Sequence, residues 1–460
     1  MAEITVRTMP DAMDAEQLEA TLGAALDAAR AGDAVRVRAL LDPVHPADVA
    51  DLLEQVGLDD REALLAMGLA VIDGDVLSEI SDAIREDVLD SLSDAVVAEA
   101  LRDLDSDDLV DIVEDLEAKD QGRILGAMDA ADRVAVEQAL AWPEHSAGRL
   151  MQRELVVAPE HWTVGEAIDF LRGADHLPDQ FYHVILIDPR LSPVAYVTLG
   201  RVLSAGRETR LRNIAEESFR TITATDDEAD VAYIFNQYHL ISCPVVDAAN
   251  RLVGVITIDD AMNVLDEEHE EDMLRLAGVG DEADVSDGAV ETVKQRLPWL
   301  VVNLFTASLS AMVISQFQHT IATLLALAAL MPIVASTGGI AGTQSLAVAV
   351  RALATRDLTR ANAGRVVRRE LFAGLMNGVG LALILGCAGV VIFGDWHLGL
   401  VLALAMMVNQ VVAALGGVMV PLTLDRMGLD PALASGTFVT TLTDVMGFFA
   451  FLGLATVMLT

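Results

Sequence analysis

Residues 398–424 read LGLVLALAMMVNQVVAALGGVMVPLTL and contain no charged side chain. A helix needs about 20 apolar residues to cross the ~30 Å hydrocarbon core of a bilayer, whereas apolar stretches of about 10–14 residues are typical of buried helices in soluble domains. Four further apolar stretches occupy residues 299–319, 321–350, 371–393 and 432–459. The C-terminal part of the chain is therefore predicted to be an α-helical membrane domain with five spans.

The distribution of arginine predicts how these spans are oriented. The loop after the second span, residues 351–369, holds six arginines, whereas the loop at residues 394–397 holds none. Arginine and lysine accumulate in cytoplasmic loops, so residues 351–369 are predicted to be cytoplasmic. Counting spans then places residues 1–298 in the cytoplasm and Thr460 outside. Because the N-terminus lacks a basic segment followed by an apolar core, we expect no cleaved signal peptide.

Charge divides the chain into two parts. Of its 70 acidic and 30 basic residues, seven and nine lie from Glu291 onward, which leaves a net charge of −42 on residues 1–290. Such a surface is repelled by nucleic acid and by anionic lipid, so cations are its expected ligands. High net charge with few aromatic residues also occurs in disordered chains. Here, however, Leu, Val, Ile and Ala recur at regular spacing, which favours a folded domain.

The acidic part begins with a series of short amphipathic helices, from about residue 17 to residue 141. Leu109, Ile112, Val113 and Leu116 illustrate the pattern, since they follow the spacing i, i+3, i+4, i+7 that places all four on one helical face. Turn and capping residues separate such segments. The sequence therefore predicts an all-α N-terminal domain over residues 1–141, with acidic residues on its outside.

Between residues 142 and 265, strands alternate with helices, and the pattern occurs twice. Residues 180–187 and 193–199 are predicted to pair as strands, and residues 242–246 and 252–258 repeat the pattern after about sixty residues. This duplication resembles a tandem pair of cystathionine-β-synthase (CBS) domains of α/β type. An acidic connector, residues 266–298, is predicted to join this pair to the membrane domain, residues 299–460.

One acidic residue lies deep inside a predicted span. Asp444 shares a helical face with Thr437, Thr440 and Thr441, at the spacing i, i+3, i+4, i+7. An ionised carboxylate at membrane depth costs on the order of 2.5–3.5 kcal/mol, so it is expected to face a water-filled path or a partner. A stripe of hydroxyl and carboxylate oxygens suits a hard, hydrated cation. Hydrogen bonding between helices is the alternative role.

Amide side chains in other spans are further candidates for the same route. Asn377, Asn409 and Gln410 either line it or form interhelical hydrogen bonds. The run STGGIAGTQS, residues 336–345, either leaves carbonyl and hydroxyl oxygens at membrane depth or only allows helices to pack closely. We predict Asp444, Thr440, Thr441 and Asn409 as the metal ligands of the route.

Acidic residues spaced four apart recur in the acidic part. Asp107 with Asp111, and Glu268 with Asp272, each share a helical face, where like charges repel each other. Divalent cations that keep several water ligands, as Mg²⁺ does, can bridge such groups. For any single pair a solvated acidic surface is the alternative, but the total charge favours metal binding.

Six short strings carry a resemblance to a known family. They are LDPVHPADVADLL (41–53), WPEHSAGRLM (142–151), ASTGGIAGTQS (335–345), RALATRDL (351–358), GLDPA (428–432) and TDVMG (443–447). In order and spacing they resemble the MgtE family of bacterial Mg²⁺ channels and transporters over nearly the whole chain. The resemblance implies a homodimer in the bacterial inner (plasma) membrane that takes up Mg²⁺ and is not an enzyme, with Asp444 as the carboxylate that selects the cation.

The resemblance also implies how transport is regulated. High cytosolic Mg²⁺ would bind between the acidic N-terminal domain, the CBS domains and a plug helix within residues 266–298, and would hold the pore shut. Six residues fall on positions of that regulatory type: Asp107, Asp111, Asp260, Glu268, Glu271 and Asp430. Binding of ATP to the CBS domains is a further implication.

Five residues depart from the family pattern. Ile340 stands where an Asn is usual, Asn263 stands where a second Asp is common, and Arg149 replaces a usual Gly. His239 and Ala229 occupy positions that are acidic in some relatives. Fewer carboxylates on the CBS side predict weaker Mg²⁺ gating.

Other classes of function fit the sequence less well. An intramembrane aspartyl enzyme needs two apposed carboxylates, and only Asp444 lies deep in a span. A receptor anchored by its spans needs no polar stripe, and an anion transporter would need basic residues inside the membrane. Transport of Mn²⁺ or Co²⁺ instead of Mg²⁺, and a channel instead of a carrier, both stay open at this point.

Overall fold

The computed structural model describes residues 15–114, 116, 118–174, 177–178, 180–280, 283, 288–432 and 435–459. Residues 1–14, to which the signal-peptide prediction applies, and Thr460, predicted to face outside, lie outside the described residues. So do residues 281–282 and 284–287 of the acidic connector. The chain divides into two compact units, Met1–Asp266 and Glu267–Thr460, each of which is described by itself.

Short helices form the first part of unit 1, as the apolar spacing predicts. They are α1 (Ala15–Arg30), α2 (Ala34–Leu41), α3 (Pro46–Gln55), α4 (Leu58–Leu65), α5 (Gly74–Ser78), α6 (Asp82–Ser91), α7 (Asp94–Ala100), α8 (Ser106–Glu114), α9 (Ala118–Ala127) and α10 (Ala130–Ala139). On α8, Leu109, Ile112 and Val113 are buried in a common core with apolar side chains of the other helices. Proline at the first position of α3 and the His45 cap before it define where that helix begins.

The second part of unit 1 contains two small sheets and the helices that flank them. Its elements are α11 (Ala147–Leu150), β1 (Val157–Pro159), α12 (Val164–Gly173), β2 (His183–Ile187), β3 (Pro193–Thr198), α13 (Leu199–Ser204), β4 (Ile222–Thr223), α14 (Glu228–Tyr238), β5 (Ser242–Val246) and β6 (Leu252–Thr257). The sheet orders are β1-β2-β3 and β4-β5-β6. In each sheet the first pair is parallel and the second is antiparallel, so the two halves repeat one topology.

The predicted α/β duplication is therefore confirmed, with one addition. Strands β1 and β4 have three and two residues, too few for an alternating pattern to be recognisable in the sequence. Helix α15 (Ile258–Ala277) follows β6 directly and continues through Asp266 into the connector. The predicted domain boundaries stay predictions, but the one at 265/266 is not a break in the helix.

Unit 2 consists of helices. After the end of α15 come α16 (Ala289–Gln316), α17 (Gln318–Thr323), α18 (Ala326–Ala354), α19 (Ala363–Phe393), α20 (Trp396–Met427) and α21 (Ser435–Leu459). In the described part of the chain, five helices are long and apolar enough to cross a membrane, which confirms the predicted number of spans. Helix α19 begins at Ala363 and not at the predicted residue 371, because arginine is a good helix former and continues the helix beyond the apolar stretch.

Glycines bring α18, α20 and α21 into close contact. A Cβ atom at Gly342 of α18 would lie 2.6 Å from Val439 Cγ1 on α21, and one at Gly417 of α20 would lie 2.6 Å from the carbonyl oxygen of Gly342. Since α18 is one continuous helix through residues 336–345, this run favours the close-packing interpretation over exposed backbone carbonyls. Three helices packed this closely give the polar residues among them well-defined positions.

Candidate ion-binding sites

The first candidate site is the polar stripe on α21. Thr437, Thr440, Thr441 and Asp444 lie along one face of the helix and are all partly exposed. In the part of the chain that the structure describes, no side chain donates a hydrogen bond to the Asp444 carboxylate and no base pairs with it. The stripe is thus a row of oxygen atoms that the helices of its own chain leave uncovered.

The threonine hydroxyls of this stripe are suited to act as ligands. Thr440 Oγ1 donates to the Gly436 carbonyl at 2.9 Å, and Thr441 Oγ1 donates to the Thr437 carbonyl at 2.7 Å. Each hydroxyl proton is therefore used inside the helix, which leaves the oxygen lone pairs for a cation or for its water ligands.

Asn409 lies behind this stripe, between α18 and α21. Its side chain is fully buried, and its Nδ2 donates to the Val334 carbonyl at 2.8 Å. A Cβ at either Gly338 or Gly447 would overlap its amide group, so the two glycines create the space that Asn409 fills. Its Oδ1 has no hydrogen-bond partner among the described residues. A buried acceptor in this state can accept a hydrogen bond from water or bind a cation.

The other two polar candidates in the spans occupy different surroundings. Gln410 is buried, and its Nε2 donates to the Thr337 carbonyl at 3.3 Å, a contact between α20 and α18. Asn377 is exposed on α19, and Ile340 is exposed on α18. Of the three amides, Asn409 alone combines burial with an unpartnered oxygen in the described structure.

The second candidate site is an acidic cluster in unit 1. Asp107 and Asp108 lie in the first turn of α8, and Asp260 lies in the first turn of α15. The fold brings the two turns close enough for their carboxylates to repel each other. Asp260 is held in place by Thr257, whose Oγ1 donates to Asp260 Oδ2 at 2.5 Å.

The acidic cluster is electrostatically unfavourable without a cation. Burial, followed by repulsion from Asp260 and Asp105, raises the pKa of Asp108 to about 7. Burial also raises the pKa of Asp260 to about 6, although hydrogen bonds from Thr257 act in the opposite direction. For Asp107, burial and the charge of Asp260 raise the pKa well above its usual value. A divalent cation near these groups would relieve both effects.

Three of the other predicted regulatory residues are paired with arginine. Asp111 Oδ2 lies 2.9 Å from Nη2 of the buried Arg85. In unit 2, Arg275 Nη2 lies 2.7 Å from Glu271 Oε2, and its Nη1 lies 2.9 Å from Asp430 Oδ2. The guanidinium groups thus neutralise part of the charge that a metal ion was predicted to neutralise. Glu268 is partly exposed on α15.

Helix α8, which carries half of the acidic cluster, is held at both ends. At its start, Glu154 Oε2 accepts hydrogen bonds from Ser106 Oγ at 2.8 Å and from the Ser106 backbone N–H at 3.2 Å. At its end, Arg149 Nη1 donates to Glu114 Oε2 at 2.8 Å. Arg149 belongs to α11, which is itself bound to the second sheet through the Gly148 N–H and the Ala224 carbonyl, 2.8 Å apart.

Four further residues belong to these sites although the sequence did not predict them there: Asp108, Arg85, Arg149 and Arg275. Acidic residues in the first turn of a helix usually stabilise the helix dipole, so Asp108 carried no separate signal. The three arginines carried no separate signal either, because their acidic partners are distant in sequence or were predicted to bind a metal ion. The described residues contain no group of three His, Cys, Asp or Glu side chains placed to hold one bare metal ion. Binding through retained water ligands agrees with that finding.

Comparison with known proteins identifies the family of this chain. Three family models match successive parts of it: "MgtE intracellular N domain" at residues 44–145, "CBS domain" at 211–267 and "Divalent cation transporter" at 331–454. The magnesium transporter MgtE of Thermus thermophilus is 32% identical over 443 residues, which cover 94% of this chain and 97% of the relative. The chain belongs to the MgtE family.

Other members of the MgtE family are similar over shorter parts of this chain. The magnesium transporter MgtE of Enterococcus faecalis is 32% identical over 324 residues, which cover 70% of each chain. A solved structure titled as the cytosolic domain of the Mg²⁺ channel MgtE in complex with ATP is 27% identical. It covers 53% of this chain and 99% of its own, with a TM-score of 0.49.

Membership of the MgtE family confirms several predictions together. The chain is a membrane transporter and not an enzyme, with an intracellular helical N-terminal domain, CBS domains and five spans. The roles of the individual site residues stay predictions.

Proposed function

We propose that this MgtE family member carries Mg²⁺ into the cell across the bacterial inner (plasma) membrane, as a homodimer whose C-terminus faces outside. The observation that carries the proposal is Asp444, a carboxylate in a membrane helix with no cationic partner in the described chain and with hydroxyl oxygens of Thr440 and Thr441 beside it. A charge in this position is costly unless a cation or water meets it.

The chemistry of the stripe favours Mg²⁺ over other ions. Asp444, Thr440, Thr441 and the Asn409 carbonyl offer only oxygen, and hard cations such as Mg²⁺ prefer oxygen ligands. Transport of Mn²⁺ or Co²⁺ is the alternative, since both also bind oxygen, although Co²⁺ gains more from imidazole or thiolate ligands. Competition between these ions during uptake separates the alternatives.

Cytosolic Mg²⁺ is proposed to close the pore. The acidic cluster of Asp107, Asp108 and Asp260 supplies the strongest support, because its carboxyl groups have raised pKa values without a cation. Hydrated Mg²⁺ bound there would stabilise the arrangement of α8 and α15 that the structure shows. Further regulatory ligands are proposed at Asp111, Glu268, Glu271 and Asp430.

The route from sensor to pore is proposed to be α15. This helix carries Asp260 in its first turn and Arg275 in its last, and it continues into the proposed plug segment within residues 266–298. We also propose that the domains meet at residues 141/142, 265/266 and 298/299. Any movement of the start of α15 is passed along a continuous helix of 20 residues.

We propose that the CBS domains bind ATP only after the cavity that both sheets line has widened. The cavity lined by residues of both sheets, among them His183, Ser242 and Thr257, has a volume of about 20 Å³. That space holds about one water molecule. A nucleotide therefore fits only after side chains that line the cavity move apart. His183 Nδ1 and Ser242 Oγ, for example, are 2.5 Å apart in the structure. A fluorescent ATP analogue would measure whether a nucleotide binds.

Proteoliposome uptake tests the proposed pore residue. Asp444→Asn removes the charge and keeps the shape, so we expect Mg²⁺ flux to fall to that of empty liposomes while the protein still inserts. Thr443→Val is the matched control, because Thr443 is on the same helix, is fully buried and donates to the Thr440 carbonyl at 2.8 Å. Normal flux in Asp444→Asn, or equal loss in Thr443→Val, would refute the assignment.

A further inference from the structure

A second charged region lies at the end of the membrane spans, where α18 is connected to α19. Residues 351–370 contain six arginines and two acids, and all six arginines are exposed. Two acids offset only part of the charge of six arginines, and one of them, Glu370, pairs with Arg369 at 3.0 Å. The region therefore keeps a net positive charge.

The loop that carries these arginines is well packed. Leu358 is buried in a small core with Ala349, Ala363, Val418 and Leu422. The Asn362 amide also closes the loop, since Nδ2 donates to the Asp357 carbonyl at 2.6 Å and Oδ1 accepts from the Thr359 N–H at 2.8 Å. The arginines around it are therefore presented on a fixed backbone.

On α19 the positive charges continue directly into an apolar surface. Arg365, Arg369, Phe372, Met376 and Leu383 follow helical spacing and lie on one face. Phe372 is 66% exposed and Leu383 is 63% exposed. The opposite face, with Gly374, Gly378 and Gly386, packs against α20. One side of α19 thus packs against α20. The other side is exposed and carries arginines at the start of the helix, followed by a long apolar strip.

Stability of the helix does not explain these arginines. Cations near the start of a helix interact unfavourably with its dipole, and Arg365, Arg368 and Arg369 all lie in the first two turns of α19. Membrane orientation alone requires positive charge in the loop, but it does not require that charge to lie on the same helical face as an exposed apolar strip.

We propose that an anionic phospholipid binds along this face of α19. Its phosphate contacts the guanidinium groups of Arg365, Arg368 and Arg369, which bind phosphate with two parallel hydrogen bonds where lysine offers a point charge. Its acyl chains lie along Phe372 and Met376. Each arginine near an anionic membrane surface contributes about a fivefold preference, so three give roughly 100-fold.

Native mass spectrometry of the purified full chain measures this preference. Wild type is expected to retain phosphatidylglycerol and phosphatidylserine about equally, and both far more strongly than phosphatidylcholine. The triple variant Arg365→Gln, Arg368→Gln, Arg369→Gln is expected to lose most of that preference, by roughly 100-fold. The matched control, Arg172→Gln, Arg190→Gln, Arg210→Gln, removes three exposed arginines of unit 1 and is expected to behave as wild type.

Two further measurements distinguish lipid binding from a simple anion site and from misfolding of the variant. Glycerol phosphate, which has the headgroup without acyl chains, is expected not to displace the lipid; displacement would show a simple anion site and overturn the proposal. Because the Gln triple removes loop charge and can misinsert, wild type is also labelled with a photoreactive phosphatidylglycerol. Adducts are expected on the peptide containing residues 365–383. Adducts only elsewhere, or equal retention of all lipids by wild type, would contradict lipid binding here.

Discussion

Asp108 combines two effects that raise the pKa of a single carboxyl group. It is partly buried at the start of α8, and Asp260, Asp105 and Asp111 all repel its negative charge. Both effects favour the protonated form, which is why its pKa reaches about 7. The same group in the unfolded chain is exposed and has an ordinary pKa. The folded chain therefore binds a proton here that the unfolded chain releases.

This difference predicts an unusual dependence of stability on pH. The stabilisation from protonated Asp108 and Asp260 is complete below the unfolded pKa, and it is lost as pH rises through about 6 to 7. In EDTA we therefore expect the Tm of unit 1 within the full chain to fall as pH rises from about 4 to about 7, and to level off above that. A loss of 1 kcal/mol corresponds to about 2–4 °C in a domain of this size. Millimolar Mg²⁺ should remove most of the decrease.

Two variants isolate the source of that pH dependence. Asp108→Asn keeps the shape but cannot ionise, so its Tm should vary less with pH. Asp59→Asn on α4 alters an exposed acid outside the cluster and should leave the dependence unchanged. If the Tm of both variants depends on pH in the same way, the acidic cluster is not the source of the pH dependence.

At the scale of the element, α8 is bound through its two ends without any metal. Glu154 accepts hydrogen bonds from Ser106 at the start of the helix, and Arg149 pairs with Glu114 at its end. Arg149 and Glu114 are both largely shielded from solvent. The same arginine was predicted to be a simple departure from the family pattern. The structure gives it a role in attaching α8 to α11 and the second sheet.

Removal of Arg149 should loosen this attachment. In Arg149→Ala the partly buried Glu114 loses a charged hydrogen bond, a change worth about 1.5–3 kcal/mol. Amide hydrogen exchange of residues 106–114 in metal-free protein should therefore become faster. Arg133→Ala is the control, because Arg133 lies 3.9 Å from Glu137 in an exposed pair, for which about 0–1 kcal/mol is expected. Equal protection of α8 in both variants would show that the pair does not hold the helix.

At the scale of the whole molecule, charge and hydrophobicity are separated along the chain. Residues 1–290 carry 63 of the 70 acidic residues and 21 of the 30 basic ones, whereas the spans contain almost no charge. Self-repulsion of so many acids opposes a compact state, and bound cations relieve it. We therefore expect the compactness of the acidic part to depend on the concentration of divalent cations.

Compaction by Mg²⁺ is the corresponding prediction. Small-angle scattering of the fragment 1–290 should show a smaller radius of gyration in millimolar Mg²⁺ than in NaCl of equal ionic strength. General screening acts equally in both solutions, so only bridging by the divalent ion distinguishes them. The same radius in both would argue against the proposed sensor.

The sequence alone determined the features that depend on neighbouring residues. Apolar runs long enough to cross a bilayer predicted five spans, and spacings of three and four residues predicted the buried face of α8 and the stripe ending at Asp444. Both follow from the fixed rise and period of a helix, which are local properties. The alternating pattern also predicted the duplicated strands of the CBS domains, except for β1 and β4, which are too short to show a period.

Only the tertiary structure decided which distant side chains meet. It placed Asp108 beside Asp260, paired Asp111 with Arg85, and joined Arg275 to Asp430. It also buried Asn409 between two glycines of other helices. Such pairs depend on how separate elements pack, and helical periodicity carries no information about the partner of a residue on another element. Burial, which sets the pKa values of the acidic cluster, likewise exists only after the elements have assembled.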